Sequence, residues 1–231
     1  MLNKLELRID KNTWFVSDTH FHHAKLTENC PERFELFRHY KDIAEMDSDI
    51  ITKWNEYVKP EDTVIFGGDF LMNTMSSEVY EEFWKIRNKL NGIIYFIRGN
   101  HDFILQKKVK DIHFFDFAVL YYKDKTIFFQ HRDYRENGYF RAKYFEEIGK
   151  GFDDVKFIHG HTHSAEKFHD EFINVCWDAW YRPINVEEIA NAFSDTLKCE
   201  DVQTAEVYEF SNFKNVFNFA KKKEAITLRL E

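Results

Sequence analysis

Five short clusters of Asp, Asn, His and Gly residues directly follow apolar runs in this sequence. The clusters are Asp18-Thr19-His20, Gly68-Asp69, Gly99-Asn100-His101-Asp102, His131 and Gly160-His161-Thr162-His163. Imidazole and carboxylate groups together suit Mn, Fe, Zn or Ni better than Ca. Residues two apart, such as Asp18 and His20 or His161 and His163, can aim both side chains to one side of an extended segment. The clusters therefore predict a transition-metal site assembled from several parts of the chain.

The apolar runs before the clusters are predicted to be buried β-strands. They cover residues 14–16, 63–66, 93–97, 126–130 and 155–159, and further strands are predicted at 119–122 and 172–175. Helical spacing of apolar residues recurs around 50–57, 79–90 and 186–193. The last helix opens with Asn185 as a cap and Glu188 three residues on. This alternation indicates a mixed α/β or α+β class, in which ligands bind beyond the carboxyl ends of the strands.

The order of the clusters, D-x-H, G-D, G-N-H-D, H and G-H-x-H, resembles the motif set of the calcineurin-like metallophosphoesterase superfamily. Each motif alone is a weak indication, whereas the complete ordered set is highly specific. The set spans residues 18–163, and the segments S-D-T-H-F at 17–21 and D-A-W-Y-R-P at 178–183 are similar to a compact bacterial and phage branch. The resemblance implies a four-layer αββα sandwich, with two mixed sheets face to face and helices outside. It also implies metal-dependent hydrolysis of phosphoesters.

The resemblance assigns ligands of two divalent metal ions. Asp18, His20 and His163 would bind the first ion, Asn100, His131 and His161 the second, and Asp69 would bridge both. Mn²⁺ is the metal implied, with Fe, Zn, Ni and Mg as alternatives. His131 stands in a poor motif of its own, and His113, His159 and His169 are rivals for its place. We favour His131 because it follows the apolar run 127–129 and Gln130.

His101 and Asp102 are the catalytic residues that the resemblance implies. His101 would lie beside the scissile phosphate without binding a metal ion, and Asp102 would orient its ring. Two metal ions about 4 Å apart can share a water and lower its pKa. An imidazolium at His101 can then protonate the leaving alkoxide.

Three further residues are candidate substrate contacts. His23 follows the first cluster, Arg98 precedes the third, and Arg132 comes directly after the lone histidine. Either arginine could clamp a phosphate oxygen with its guanidinium. The alternatives are a solvated or capping histidine and ordinary surface arginines. Residues expected to support the fold near the site are Asp178, Trp180 and Arg182.

Hydrolysis of a phosphodiester, with a nucleotide or a nucleic-acid end as substrate, is the function we expect. A phosphomonoesterase, including a protein phosphatase, is the alternative enzyme. A third alternative is a binding or scaffold protein that keeps the fold without catalysis. The sequence contains every implied ligand and His101, which argues against that third alternative.

Composition restricts the partners and the location that we expect. The 231-residue chain has a net charge of −8, whereas generic binders of long DNA are usually basic. Its three cysteines, Cys30, Cys176 and Cys199, form no C-x-x-C pair, which suits a reducing cytoplasm. No signal peptide is visible, and no window approaches the ~18 apolar residues of a membrane span. We therefore expect a cytoplasmic protein without a membrane partner.

Two regions are predicted along the chain. Residues 1–197 should form the metallophosphoesterase domain, because the clusters and the alternation of strands and helices end within them. Residues 198–231 should form a C-terminal extension. Its apolar positions are strand-like at 207–210 and helically spaced at 213–220, so it should pack on the domain or on a partner subunit.

Overall fold

Two mixed β-sheets lie at the centre of the protein. The computed structural model describes residues 3–27, 38–72, 77–132, 155–169 and 172–195. The strands in these ranges are β1 (Lys4–Arg8), β2 (Thr13–Val16), β3 (Thr63–Phe66), β4 (Ile93–Ile97), β5 (Phe114–Phe115), β6 (Phe117–Tyr122), β7 (Lys125–Phe129), β8 (Val155–His159), β9 (Phe168–His169), β10 (Phe172–Asn174) and β11 (Ile184–Asn185). The α-helices are α1 (Ile43–Tyr57), α2 (Val79–Arg87), α3 (Asp102–Lys108), α4 (Trp177–Trp180) and α5 (Val186–Asp195).

One sheet has the strand order β11-β2-β3-β4-β5 within the described ranges. Its strands β2 to β5 run parallel, and β11 is antiparallel to β2. The register places Val16 beside Phe66 and Phe66 beside Phe96. The three neighbouring strands β2, β3 and β4 therefore end level with one another, and the loops that follow them leave from the same edge.

The other sheet has the strand order β1-β6-β7-β8-β10-β9 in the part of the chain that the structure describes. Strands β6 and β7 form the predicted hairpin, and Lys123 in its turn has a left-handed φ of 53°. Strands β7, β8 and β10 run parallel. Phe129 pairs with Ile158, and Ile158 pairs with Ile173, so these strands also end nearly level.

The two sheets pack face to face through an aromatic and aliphatic core. Phe15 and Ile65 of the five-stranded sheet belong to the same buried cluster as Leu120 and Phe129 of the six-stranded sheet. The ring centroids of Phe15 and Phe129 are 5.9 Å apart. Full burial of each side chain of this kind stabilises the fold by about 1.5–3 kcal/mol. Aromatic side chains thus contribute directly to the contact between the two sheets.

Helices α1 and α2 cover the outer face of the five-stranded sheet. Trp54 of α1 packs on Phe66 with ring centroids 6.3 Å apart, and Phe83 of α2 packs on Phe96 at 5.7 Å. Each helix lies in the chain between two neighbouring parallel strands of this sheet, as the crossover connection between parallel strands commonly does. The mixed sheets and their helices confirm the expected fold class.

Some expectations concern residues outside the described ranges. The C-terminal extension at 198–231 lies there, so the domain boundary after residue 197 stays a prediction. Within the described ranges, none of the helices has the length and apolar character that crossing a membrane requires.

Candidate metal centre

The loops after five strands converge at one edge of the sheets and bring the predicted ligands together. Among the described residues, two groups have ligand atoms within 4.8 Å of one another, and they are Asp18, His20 and His163, and Asp69, His131 and His161. The remaining predicted ligand, Asn100, places its Oδ1 atom 3.0 Å from Nε2 of His131. The structure therefore brings His131, the favoured candidate for this position, into the cluster.

The first group surrounds a buried carboxylate oxygen. Oδ1 of Asp18 lies 3.9 Å from Nε2 of His20 and 3.7 Å from Nε2 of His163, and these two nitrogens are 3.1 Å apart. Oδ2 of Asp18 accepts the His161 N–H at 2.9 Å and the Cys176 thiol at 3.1 Å. Oδ1 has no hydrogen-bond partner among the described residues. Because such an unpaired buried oxygen is costly, a cation between these three side chains fits the group.

The second group contains the imidazole of His131, whose tautomer is fixed by a hydrogen bond. Nδ1 of His131 donates to the Gly67 carbonyl oxygen at 2.8 Å, which leaves the lone pair on Nε2. That Nε2 atom lies 3.3 Å from Oδ2 of Asp69. Burial lowers the pKa of His131, but the carboxylates of Asp18 and Asp69 outweigh burial and raise it to about 9. The negative charge that stabilises the extra proton on the His131 imidazole would also attract a metal ion, so metal binding would displace that proton.

Asp69 lies between the two groups. Its Oδ2 atom is 3.6 Å from Nε2 of His20 in the first group and 3.3 Å from Nε2 of His131 in the second. Burial raises the pKa of Asp69, but the hydrogen bond and charge of His131 and the charge of His20 hold that pKa well below its usual range. An ionised carboxylate in this position can contact two cations at once.

Five of the predicted ligands have a left-handed backbone conformation. The φ angles are 57° at Asp18, 48° at His20, 59° at Asp69, 71° at His161 and 50° at His163. Such angles are uncommon for residues other than glycine, and they accumulate at functional sites where surrounding contacts impose them. The prediction that alternation along an extended segment aligns Asp18 with His20 is therefore wrong. Turns, and not strand pleats, direct both side chains inward.

Gly99 is required by the close approach of Asp69. A Cβ atom at Gly99 would overlap the Asp69 carboxylate and backbone nitrogen. We predict that Gly99→Ala displaces this carboxylate and lowers the metal content of the purified protein, measured by elemental analysis. Gly92→Ala is the control, because a Cβ atom at Gly92 would likewise meet close neighbours, but these include Val58 and Val64 and none of the predicted ligands. It should lower the melting temperature without loss of metal, and equal metal loss in both variants would contradict the prediction.

His101 lies at the rim of the cluster. Its side chain is 42% exposed, and its Nε2 atom is 4.0 Å from Oδ2 of Asp69. The backbone N–H of His101 donates to Oδ1 of Asp69 at 2.8 Å, and its ring packs edge-on against His20 with centroids 5.4 Å apart. The ring belongs to neither ligand group. Its role as a contact to the substrate phosphate stays a prediction.

Asp102 makes different contacts from those that the sequence led us to expect. Its buried carboxylate accepts the backbone N–H groups of Asp69 at 2.7 Å, Gly99 at 2.8 Å and Phe70 at 3.1 Å. Burial raises the pKa of Asp102 to about 6, with a further contribution from Asp69, although the three N–H donors lower it. Asp102 thus fixes the loop after β3 to the loop after β4. The expectation that it orients the His101 ring is corrected, because its oxygens are directed at backbone donors.

A family model matches nearly the whole of this fold and its cluster. The model of calcineurin-like phosphoesterases covers residues 11–218, which is well over half of the chain. The chain belongs to the calcineurin-like phosphoesterase family. This is a family of metal-dependent phosphoester hydrolases, and the protein is accordingly a metal-dependent phosphoesterase.

Two proteins similar to the phosphoesterase are described as uncharacterised or of unknown function. The uncharacterised protein MJ1445 of Methanocaldococcus jannaschii is 28% identical over 138 residues, which cover 59% of this chain and 73% of that protein. The crystal structure of AQ665 from Aquifex aeolicus, a protein of unknown function, is similar with a TM-score of 0.58 and 27% identity. That similarity covers 78% of this chain and 98% of the AQ665 chain. The fold of the phosphoesterase thus extends over nearly all of AQ665.

Asp178 supports a histidine of the first group in the phosphoesterase. Nδ1 of His163 donates to Oδ2 of Asp178 at 2.8 Å, which leaves the Nε2 lone pair toward the candidate ion position. Burial raises the pKa of Asp178, but Arg38 and His163 hold that pKa well below its usual range. The supporting position of Asp178 was expected from the sequence. Arg38 was not singled out, because an arginine in a polar segment resembles an ordinary surface arginine.

His23 borders the first ligand group. Its ring centroid is 5.3 Å from that of His20, and the side chain is half-buried. Burial, followed by the charges of Arg38 and His101, lowers the pKa of His23 to about 4. A neutral imidazole therefore flanks the first candidate ion position at neutral pH, and its role as a substrate contact stays a prediction.

The two predicted arginine contacts are placed differently. The guanidinium of Arg98 pairs with the carboxylate of Asp116 and donates to Oε1 of Gln106 at 3.2 Å. The structure therefore does not support a phosphate clamp at Arg98, because its donors are directed to these two side chains. Arg132 is exposed, and its carbonyl oxygen accepts the side-chain amide of Gln130 at 2.8 Å.

Proposed function

We propose that this phosphoesterase hydrolyses phosphodiesters at a centre of two divalent metal ions, with nucleotides or nucleic-acid ends as substrates. The position of Asp69 carries the proposal. One of its carboxylate oxygens faces imidazole nitrogens of both groups, at 3.6 Å from His20 and 3.3 Å from His131. Two ions that share a ligand and a water are suited to in-line displacement at phosphorus.

The proposed ligands of the two ions correspond to the two groups of side chains described above. They are Asp18, His20 and His163 for the first ion, Asn100, His131 and His161 for the second, and Asp69 for both. A set of imidazole nitrogens, carboxylates and one amide oxygen suits Mn²⁺, with Fe, Zn, Ni and Mg as the alternatives. The unpartnered Oδ1 atom of Asp18 supports this assignment, since a cation would complete its surroundings.

Charge and access favour a diester over a monoester. The chain has a net charge of −8. A phosphodiester carries one negative charge, whereas a phosphomonoester carries about two at neutral pH, so an acidic protein repels the monoester more strongly. The 42% exposed side chain of His101 also leaves the rim open for a substituent on the far side of the phosphate.

The proposal gives the side chains roles that are compatible with their positions. When bound, the ions lower the pKa of a water nucleophile and neutralise charge on the phosphoryl oxygens. In its protonated form, the His101 ring contacts a phosphoryl oxygen and donates its proton to the leaving alkoxide. Asp69 holds the backbone of His101 beside the cluster through the N–H bond at 2.8 Å. Asp102 keeps the two loops that carry these residues at a constant spacing.

Removal of metal is expected to abolish hydrolysis. The chelated protein should lose its activity because the substrate phosphate and the carboxylates of Asp18 and Asp69 would repel each other without cations. Addition of Mn²⁺ should restore activity, with two ions per chain by elemental analysis. Full activity in protein that is verified to contain no metal would contradict the proposal.

A substrate panel tests the preference for diesters. The matched pair is an aryl phosphodiester and an aryl phosphomonoester with the same leaving group, assayed beside cyclic nucleotides and single-stranded oligonucleotides. We expect the higher kcat/KM on the diester and on the nucleotide substrates. A higher value on the monoester would replace the proposal with a phosphomonoesterase. Two tightly bound ions without hydrolysis of any substrate would instead indicate a binding member of the family.

A further inference from the structure

The guanidinium of Arg38 is buried beside the first ligand group. Its side chain is 1% exposed. Nε and Nη2 donate to the two carboxylate oxygens of Asp178 at 2.8 Å and 2.9 Å. Nη1 donates to the carbonyl oxygen of Thr19 at 2.7 Å, and Nη2 also donates to the carbonyl oxygen of Asp18 at 2.5 Å. Arg38 thus ties the loop after β2 to α4 with four hydrogen bonds.

Every one of these bonds leads to a ligand of the same candidate ion. One carbonyl belongs to the ligand Asp18, and the other belongs to Thr19, the residue before His20. The Asp178 carboxylate accepts Nδ1 of His163 at 2.8 Å. These three ligands have left-handed φ angles of 57°, 48° and 50°. Such conformations persist only where surrounding contacts impose them, and the bonds from Arg38 to two consecutive carbonyls supply such contacts.

The second group has separate supports. His131 is oriented by the Gly67 carbonyl oxygen at 2.8 Å, and the loop that carries Asp69 is held by the Asp102 carboxylate. Within the described ranges, no hydrogen bond joins Arg38 to Asp69, His131 or His161. Two described hydrogen bonds link the groups, from the His161 N–H to Oδ2 of Asp18 at 2.9 Å and from the His20 N–H to the Asp69 carbonyl oxygen at 3.0 Å. The contacts made by Arg38 itself lie on the first group alone.

We infer that Arg38 is a positioning residue for the first metal ion, which sets the affinity of the Asp18, His20 and His163 group without changing that of the second group. The inference rests on the proposed function, since it requires two ions. The planar guanidinium is essential to this role because it bonds a carboxylate and two carbonyls simultaneously. A lysine ammonium keeps the charge but lacks this fork of donors.

The test measures metal binding and does not depend on turnover. Metal-free Arg38→Lys protein is titrated calorimetrically with Mn²⁺ and, separately, with Co²⁺ while the visible spectrum is recorded. We expect the Kd of one ion to rise roughly 10- to 100-fold, as loss of an outer-sphere partner does, and the Kd of the other to stay unchanged. His163→Ala and His161→Ala proteins provide reference spectra for loss of the first and the second ion. The Arg38→Lys spectrum after one equivalent should match that of His163→Ala.

Arg182→Lys is the matched control. The Arg182 guanidinium also forms a two-bond pair with a carboxylate, to Glu188 at 2.9 Å and 2.6 Å, close to the end of α4. Among the described contacts it bonds none of the proposed ligands, so this variant should bind both ions as the unmodified protein does. The same selective loss in Arg182→Lys would overturn the inference.

Two further results would overturn it, and a third separates it from the proposed function. Arg38→Lys protein that binds both ions with unchanged affinity would exclude the positioning role. Equal weakening of both ions, with a lowered melting temperature, would show a structural role only. If the unmodified protein binds a single ion, the two-ion proposal fails. In that case the inference about Arg38 holds if Arg38→Lys and His163→Ala both weaken that ion. It is overturned if His163→Ala weakens the ion and Arg38→Lys does not.

Discussion

The Asp69→Asn variant is expected to bind neither metal ion tightly and to lose hydrolysis accordingly. Its amide keeps the size of the side chain but removes a negative charge that faces both groups, at 3.6 Å from His20 and 3.3 Å from His131. Attraction between unit charges 4 Å apart is about 4 kcal/mol at an effective dielectric constant near 20, or roughly 10³-fold in affinity. Because the same oxygen faces both positions, both ions should weaken together.

Elemental analysis and calorimetric titration with Mn²⁺ measure this effect, and Asp62→Asn is the matched control. Asp62 is also a buried carboxylate, but it accepts the indole N–H of Trp14 and the backbone N–H of Lys59, both at 2.9 Å. The control should retain both ions. If Asp69→Asn kept one ion at the affinity of the unmodified protein, Asp69 would belong to a single ion and would not bridge.

The strands that lead into the cluster could be predicted because they are buried and carry their signal locally. Runs such as Thr63–Phe66 and Ile93–Ile97 are short, apolar and rich in β-branched or aromatic residues, and Gly and Asp or Asn follow them. Strand β1 was missed for a related reason. Its Leu5 and Leu7 alternate with charged residues, which is typical of an edge strand, but the run contains no continuous apolar segment.

Contacts between distant parts of the chain explain what the sequence did not disclose. Arg38 and Asp178 are 140 positions apart, and neither residue alone distinguishes a buried pair from two surface charges. Asp102 was paired with its neighbour His101 because they are adjacent in sequence. The start of α3 instead turns its carboxylate toward Asp69, 33 positions away. Adjacency in the sequence therefore did not predict the partner of this carboxylate, because the direction of the backbone determines where the side chain lies.

The conformation of the ligand loops was equally inaccessible from residue types. A glycine in the sequence indicates a possible turn with a positive φ. His20 and His163 adopt φ angles of 48° and 50° although neither is a glycine. Hydrogen bonds from elsewhere in the fold reach the backbone beside His20, namely those from Arg38 to the carbonyls of Asp18 and Thr19. The sequence therefore predicted which residues meet, and the structure supplied the turns by which they meet.

The His101→Ala variant is expected to keep both metal ions and to lose roughly 10²–10⁴ in kcat, the usual contribution of a positioned proton donor. The ring belongs to neither ligand group, and its 42% exposure means that truncation leaves no enclosed cavity. The hydrogen bond to Oδ1 of Asp69 comes from the backbone N–H and is retained by alanine. Loss of metal in this variant would therefore contradict the assignment of His101.

The dependence on the leaving group separates proton donation from simple charge stabilisation. A nitrophenolate leaves readily without a proton, whereas an alkoxide needs one in the transition state. Two phosphodiesters that differ only in this group should therefore lose activity unequally in His101→Ala, with the larger loss on the alkyl ester. An equal loss on both would indicate that the ring stabilises the phosphoryl oxygens and does not protonate the leaving group.

His113→Ala is the control for loss of an exposed imidazole. His113 packs edge-on against Phe115 with ring centroids 4.5 Å apart and belongs to neither ligand group. Its removal should leave kcat unchanged on both esters. A comparable loss would mean that the effect at His101 reflects general damage to the protein. The backbone N–H contact to Asp69 is present both in the unmodified protein and in His101→Ala. If the control is unaffected and His101→Ala still binds both ions, the loss of kcat is therefore due to the His101 ring.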